Sequence, residues 1–221
     1  MAEFNYRWVR AFDPAKRLFT GRGYLLAKRT MDLSIVFLAL PFWFPLFLSI
    51  YLIIKVSSPG APVIYTNNRS GRFGKPFLFY KFRTMVPHAD ALKEKYMHLN
   101  ELKWPDFKIT NDPRVLPIGR LLRKTSLDEL PQLINVIKGD MSLVGPRPTD
   151  FGPETYSLWQ TERLDVFPGI TGLWQVTARG SVSMDERTRM DIAYIERAGI
   201  WLDINILIRT FATLLKPRGT V

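Results

Sequence analysis

Leu33 to Ile54 reads LSIVFLALPFWFPLFLSIYLII, 22 residues without a charge, bounded by Asp32 and Lys55. That length matches the thickness of a bilayer's hydrocarbon, and the run offers no polar face for a buried helix of a soluble protein. A cleaved signal peptide is the weaker alternative, because the run exceeds the usual apolar core of about 7 to 15 residues and begins late in the chain.

Two features argue for entry without crossing. Pro41 and Pro45 sit mid-run, and each removes a backbone donor and clashes with the preceding turn, so these two residues mark the expected hinge. In residues 1–30, Arg7, Arg10, Lys16, Arg17, Arg22, Lys28 and Arg29 stand against Glu3 and Asp13, a balance of +5, and residues 55–221 carry +7. Basic flanks prefer the cytoplasmic side, and here both flanks claim it. A hairpin of two limbs, residues 33–44 and 45–54, satisfies both, since limbs of about 18 and 15 Å reach roughly the bilayer midplane. A kinked helix that spans stays open as the alternative.

The whole chain has 221 residues, 47% hydrophobic, a net charge of +11 and a pI near 10.0. Such a chain folds and favours acidic partners: phosphates, nucleic acid or an anionic membrane surface. The absence of cysteine excludes disulfides, thiolate metal centres and a cysteine nucleophile. His88 and His98 lie in a polar, Lys-rich stretch and read as surface residues, not as metal ligands.

Beyond Lys55 the composition becomes that of a water-facing domain, without repeats. Residues 61–66 and 77–84 read as strands of a short hairpin. Helices are expected over residues 88–102, 118–124, 130–138, 184–198 and 202–215. In the last, Ile204, Leu207, Ile208, Phe211, Leu214 and Leu215 form one apolar stripe, suited either to core packing or to the membrane interface.

Arg123-Lys124-Thr125-Ser126-Leu127-Asp128-Glu129-Leu130-Pro131-Gln132-Leu133 holds the most chemistry. Ser126 and Glu129 stand at capping-box spacing, but Pro131 fits poorly deep in a first turn, so the helix starts late or kinks. Adjacent helical residues point about 100° apart, which gives Asp128 and Glu129 separate roles. A carboxylate near Arg123 and Arg147 stays ionised, able to act as nucleophile or as ligand for a hard cation such as magnesium. Strand alternation puts Lys81 and Arg83 on one face with Phe77 and Phe79, as cations expected to face a ligand. Pro146 and Pro148 stiffen the chain around Arg147, which suits a clamp on phosphoryl oxygens; an exposed turn arginine is the alternative. Gly71 and Gly74 resemble a phosphate-cradling loop only weakly, and a hairpin turn accounts for them equally well.

Lys28-Arg29-x-x-Asp32, Lys81-Phe82-Arg83-Thr84-Met85, Asp112-Pro113-Arg114, residues 123–132, 139–148 and Pro168-Gly169-Ile170-Thr171-Gly172-Leu173-Trp174-Gln175 follow one another in order. Together they resemble the bacterial sugar transferase family, the monotopic phosphoglycosyl transferases that start exopolysaccharide, O-antigen and glycoconjugate assembly, in its minimal single-domain form. The resemblance implies transfer of a sugar 1-phosphate from a UDP-sugar to polyprenol (undecaprenyl) phosphate with release of UMP. It implies Asp128 as nucleophile of a covalent phosphosugar intermediate, with Glu129 orienting or deprotonating the incoming phosphate. Asp128 and Glu129 would hold Mg²⁺, while Arg123, Arg147, Lys81 and Arg83 would bind phosphate. Family members often carry Ser-Pro at the membrane break. Phe44-Pro45 stands there in this chain, so Ser34, Ser49, Pro41 or a displaced bend must compensate.

The expected architecture is α+β: a mostly helical, membrane-associated domain with a re-entrant helix-break-helix, a small β-hairpin and interfacial amphipathic helices. Its parts are a basic leader (1–27), the re-entrant hairpin (28–55) and a transferase domain (56–221) on the cytoplasmic face of the bacterial inner membrane. Arg22, Lys28, Arg29 and Lys55 are expected near anionic lipid, each contributing about 1 kcal/mol. UDP-sugar, polyprenol phosphate and membrane lipids are the expected partners and nucleic acid is not, because the basic and aromatic residues form no stacking platform. Oligomeric state, a homo-oligomer included, stays open. A membrane glycosyl transferase releasing UDP, and a noncatalytic membrane protein that binds anions or nucleic acid, are the alternative functions.

Overall fold

The structure, a computed structural model, describes residues 6–92, 94–101, 109–150, 152–178 and 182–214. Its helices are α1 (Gly21–Leu38), α2 (Leu40–Ser57), α3 (Pro117–Thr125), α4 (Gln132–Lys138), α5 (Leu173–Thr177), α6 (Met184–Arg197) and α7 (Ile200–Leu214). Its strands are β1 (Ile64–Ser70), β2 (Pro76–Phe82), β3 (Ser142–Val144) and β4 (Gly169–Thr171). The chain is α+β, and β1 with β2 forms the expected small hairpin.

The chain divides into two compact units interleaved in sequence. The first takes in residues 6–41, Thr66–Tyr80 and 132–214; the second takes in Phe42–Tyr65 and Lys81–Pro131.

In the first unit, β3 and β4 pair in parallel, Ser142 with Gly169 and Val144 with Thr171, an element the composition did not announce. Backbones meet closely there: a Cβ on Gly169 would lie 2.1 Å from the Gly145 nitrogen, and one on Gly145 would lie 2.4 Å from the Phe167 oxygen. Around this pair Val36, Val136, Met141, Leu173, Met190, Leu202 and Ile206 are buried. α6 begins in a full capping box, Ser183 with Glu186, which accounts for the accuracy of its expected start.

α1 is bolted into this core by its polar residues. Lys28 Nζ donates to Asp203 Oδ2 of α7 at 2.9 Å, and Tyr24 and Tyr194 donate to the same carboxylate at 2.9 and 2.7 Å. Arg29 donates to the Val136 and Ile137 carbonyls at the end of α4, and Ser142 Oγ donates to Asp32 at 2.6 Å. The expectation that Lys28 and Arg29 attract lipid is therefore corrected for both: Lys28 is buried against a carboxylate and Arg29 caps a helix. Arg22 and Lys55 are exposed.

The apolar run is broken at Ala39, upstream of both prolines. Pro41 lacks the N–H that the Phe37 carbonyl would need, so α1 stops at Leu38 and α2 restarts with Pro41 as its second residue, where a donor is not required. Pro45 lies inside α2, and Ser49 Oγ donates to its carbonyl at 2.9 Å. The helix break thus lies upstream of Phe44-Pro45, and Ser49 supplies a hydroxyl to the Pro45 carbonyl. Among the described residues α2 is the one helix long and apolar enough to cross a membrane, and most of its side chains are unburied.

In the second unit, Ile50 and Ile54 of α2 pack with Val63, Phe82 and Leu122, joined by Phe47, Ile64, Ile118, Leu127 and Leu130. The helix expected over residues 88–102 does not form in its described part. Residues 87–92 are turns and Glu94–Leu99 is a 3-10 helix, after His88 takes a left-handed backbone (φ 58°) that no α-helix admits.

Candidate active site

α3 ends because Ser126 turns left-handed (φ 59°), its N–H reaching back to the Arg123 carbonyl. The capping box for which Ser126 and Glu129 have the spacing is not formed, since Ser126 makes no side-chain cap. Instead Leu127–Glu129 forms a single 3-10 turn, and α4 starts at Gln132, directly after Pro131 as the missing proline donor requires. Leu127 and Leu130 pack against the second unit's core. Asp128 and Glu129 are thereby held between two apolar anchors.

Asp128 is 4% exposed, and Lys81 Nζ stands 3.4 Å from its Oδ2. Lys81 is next to last in β2, placed by Phe82, which is fully buried in the same core. Arg123, in the last turn of α3, donates from Nε to Thr84 Oγ1 at 2.9 Å. Burial pushes the Arg123 guanidinium down from its ordinary value, while the Asp128 and Asp112 carboxylates push it back up. Gly119 permits this arrangement, because a Cβ there would lie 2.2 Å from the Thr84 oxygen. The result is a buried carboxylate among fixed cations, each on its own element.

Support comes from Asp112-Pro113-Arg114. The Asp112 carboxylate accepts from the Arg114 backbone N–H, Nε and Nη2, at 2.9, 2.9 and 2.6 Å, and Arg114 Nη1 reaches the Ala89 carbonyl at 3.3 Å. Those bonds hold the Asp112 carboxyl below the usual carboxylate range. Next to this clamp, Leu116 N–H donates to the Thr84 carbonyl at 2.9 Å, which seats α3.

The expectation that Arg83 faces a ligand is corrected. Its guanidinium is buried on protein acceptors: the Pro62 carbonyl at 2.7 Å, Ser58 Oγ at 2.8 Å and the Ser58 carbonyl at 2.5 Å. Arg83 lies one residue past β2, where pleat alternation no longer decides its direction, and it fastens the loop after α2. Gly71 and Gly74 bound a hairpin turn in which Gly71 N–H donates to the Lys75 carbonyl at 2.9 Å.

A family model described as bacterial sugar transferase matches residues 23–217. The chain belongs to the bacterial sugar transferase family. Among curated relatives, the undecaprenyl-phosphate galactose phosphotransferase of Salmonella typhimurium is 46% identical over 203 residues, 90% of this chain and 42% of the relative. The galactosyl transferase CpsE of Streptococcus agalactiae is 41% identical over 199 residues, 89% of this chain and 44% of the relative. The chain therefore spans less than half the length of those two. The exopolysaccharide production protein ExoY of Rhizobium meliloti is 38% identical over 200 residues, 88% of either chain.

In this family member Arg147 belongs to the first unit, in a segment where Gly145, Pro146 and Pro148 are buried and Arg147 is half-buried. Sequence reasoning missed several residues that shape the two units. Thr84 lies inside Lys81-Phe82-Arg83-Thr84-Met85 and Gly119 shortly before Arg123, and neither carries a charge that would point to the site. Arg163 lies in Thr161-Glu162-Arg163, where nothing distinguishes it from a surface charge. Gln132 is fully buried, and among the described residues neither its amide oxygen nor its nitrogen has a hydrogen-bond partner.

Proposed function

We propose that the protein is a phosphoglycosyl transferase that moves a sugar 1-phosphate from a UDP-sugar to undecaprenyl or a related polyprenol phosphate. The observation that carries this reading is the buried Asp128 carboxylate, set on a one-turn element between apolar anchors and 3.4 Å from Lys81. Phosphoryl transfer depends chiefly on positioning and charge stabilisation, and a cation-ringed carboxylate supplies both. The relatives support the substrates: one is an undecaprenyl-phosphate galactose phosphotransferase, and one from Aeromonas hydrophila is a UDP-N-acetylgalactosamine-undecaprenyl-phosphate N-acetylgalactosaminephosphotransferase.

In the first step an Asp128 oxygen forms a bond to the sugar-linked phosphorus, and the bond from that phosphorus to the bridging oxygen breaks, with UMP leaving. In the second step an oxygen of polyprenol phosphate attacks the same phosphorus, and the Asp128 carboxylate is released. Lys81 and Arg123 balance phosphate charge in both steps. Glu129 orients the incoming phosphate or takes its proton. Among the described residues no three Asp, Glu or His side chains form a metal cage. Two adjacent carboxylates completed by substrate phosphates are nevertheless a donor set that magnesium commonly uses, so Asp128 and Glu129 fit that ion. Magnesium, when bound, would neutralise charge developing on the phosphoryl oxygens.

The lipid phosphate sits at headgroup level, so the reaction belongs at a membrane boundary. We place the chain on the cytoplasmic face as a monotopic protein, with the run after Leu33 entering and leaving the same leaflet. Unburied apolar side chains along α2 support membrane contact. On α7 the packed face is Leu202, Asp203 and Ile206, whereas Trp201, Ile208 and Phe211 are 64, 62 and 67% exposed. That exposure favours the interfacial reading of the stripe at Ile208 and Phe211.

The test is the nucleotide released from UDP-sugars in the presence of polyprenol phosphate and Mg²⁺. UMP supports the reading. UDP would make the protein a transferase of the sugar alone.

A further inference from the structure

The segment Pro146-Arg147-Pro148 cannot be held by its own donors, because two of its three residues have no N–H. It is held through its acceptors instead. The Pro146 carbonyl takes the Gly169 N–H at 2.9 Å, the Arg147 carbonyl takes Arg163 Nη2 at 2.8 Å, and the Pro148 carbonyl takes Arg69 Nη1 at 2.7 Å. Each carbonyl is engaged from a different element: the start of β4, the 3-10 helix Leu158–Leu164, and the end of β1.

The two arginines are themselves fixed. Arg163 is 4% exposed, pairs with Asp191 of α6 at 2.8 Å and stands over the Tyr156 ring at 5.7 Å. Asp191 is fully enclosed; burial pushes its carboxyl up to about 6, against the downward pull of the Arg163 and Arg187 guanidiniums. Arg69 lies 4.1 Å over the Phe79 ring and pairs with Asp150 at 2.5 Å. A lone buried pair is weak support for stability, since desolvation offsets most of its attraction. Its geometry has a more specific consequence here, because the Asp191 carboxylate and the Arg147 carbonyl converge on one nitrogen, Arg163 Nη2, each at 2.8 Å. A guanidinium that binds a carboxylate and a neighbouring backbone carbonyl together fixes that carbonyl in direction as well as distance.

We propose that Arg163, oriented by Asp191, is a positioning residue that sets the backbone under Arg147 and so aims its guanidinium for phosphate, with Arg69 bracing the other side. This rests on the expectation from the family resemblance that Arg147 binds substrate phosphate. Arg163 touches no substrate and acts through Arg147 alone.

A double-mutant cycle on the full chain in detergent tests it, with UMP release as the readout. Arg163→Lys keeps the charge near Asp191 but, with a shorter reach and no rigid planar guanidinium, does not hold the Arg147 carbonyl in place. In an otherwise natural chain it should lower kcat about tenfold, with a melting temperature close to that of the parent. In an Arg147→Ala background the same change should cost less than about twofold, because nothing remains to be aimed. Loss of equal size in both backgrounds would overturn the positioning role and make Arg163 merely structural. Arg147→Ala with the parent's activity would instead remove the phosphate-binding reading itself. If Arg163→Lys fails to fold, Asp191→Asn, close to isosteric, carries the cycle: it should lower kcat in the natural chain and not in the Arg147→Ala background, and equal losses would overturn the proposal in the same way.

Discussion

Lys81 and Arg83 are two residues apart and chemically alike, yet the structure gives them opposite tasks. Lys81 stands against the Asp128 carboxylate, while Arg83 is enclosed by the Ser58 and Pro62 oxygens. Lys81→Met should therefore lower turnover about a hundredfold, as loss of a charge-stabilising donor does, with little change in melting temperature. Arg83→Met should do the reverse, lowering the melting temperature by several degrees while the folded fraction keeps kcat within about twofold. Steady-state kinetics and thermal melts on the pair decide between the two assignments. Asp112 supplies a prediction in pH. Arg114 holds its folded-state carboxyl below the unfolded value of about 4, so the stabilisation is present above that pH and is lost as pH falls through the lower, folded value. Asp112→Asn should melt earlier than the parent at pH 7, and the gap should shrink below about pH 4.

Among the elements, α1 shows how a helix at the edge of an apolar run is tied to a folded unit. Asp203 is 0% exposed and accepts from Lys28, Tyr24 and Tyr194. Lys28→Met strands that carboxylate and should cost about 3 to 5 kcal/mol; adding Asp203→Asn should restore part of the lost melting temperature. Lys28 and Arg29 resembled lipid-facing cations because sequence shows charge and position but not their partners, 175 residues away for Lys28 and 107 and 108 for Arg29. The break in the apolar run was legible in kind, since prolines forbid an unbroken helix, but not in place: it lies at Ala39, where Pro41 fails to supply a donor. Topology follows from single cysteines in this cysteine-free chain, at Ala11 and Pro59, both exposed positions. Labelling from one side of sealed vesicles at both positions supports the re-entrant path, and labelling from opposite sides means a span.

At the scale of the whole molecule, β1 was expected over residues 61–66 and runs from Ile64 to Ser70, since the polar Asn67-Asn68-Arg69-Ser70 resembles a loop. The carboxylate turn could be read in advance because Pro131 sets where α4 begins, and β2 because alternation marks it. The parallel pairing of β3 with β4 could not, being two three-residue strands joined by long irregular chain. Nor could the arginines that hold Pro146-Arg147-Pro148, whose partners are backbone carbonyls and carry no side-chain signature. What unites the readings is the account of Asp128 as a nucleophile. Intact-mass spectrometry of the full chain incubated with UDP-sugar and Mg²⁺, lipid acceptor withheld, tests it directly. The account predicts a mass increase equal to one sugar phosphate, mapped to Asp128, absent from Asp128→Asn and discharged by polyprenol phosphate. Product formation by a chain that never carries that mass would contradict it.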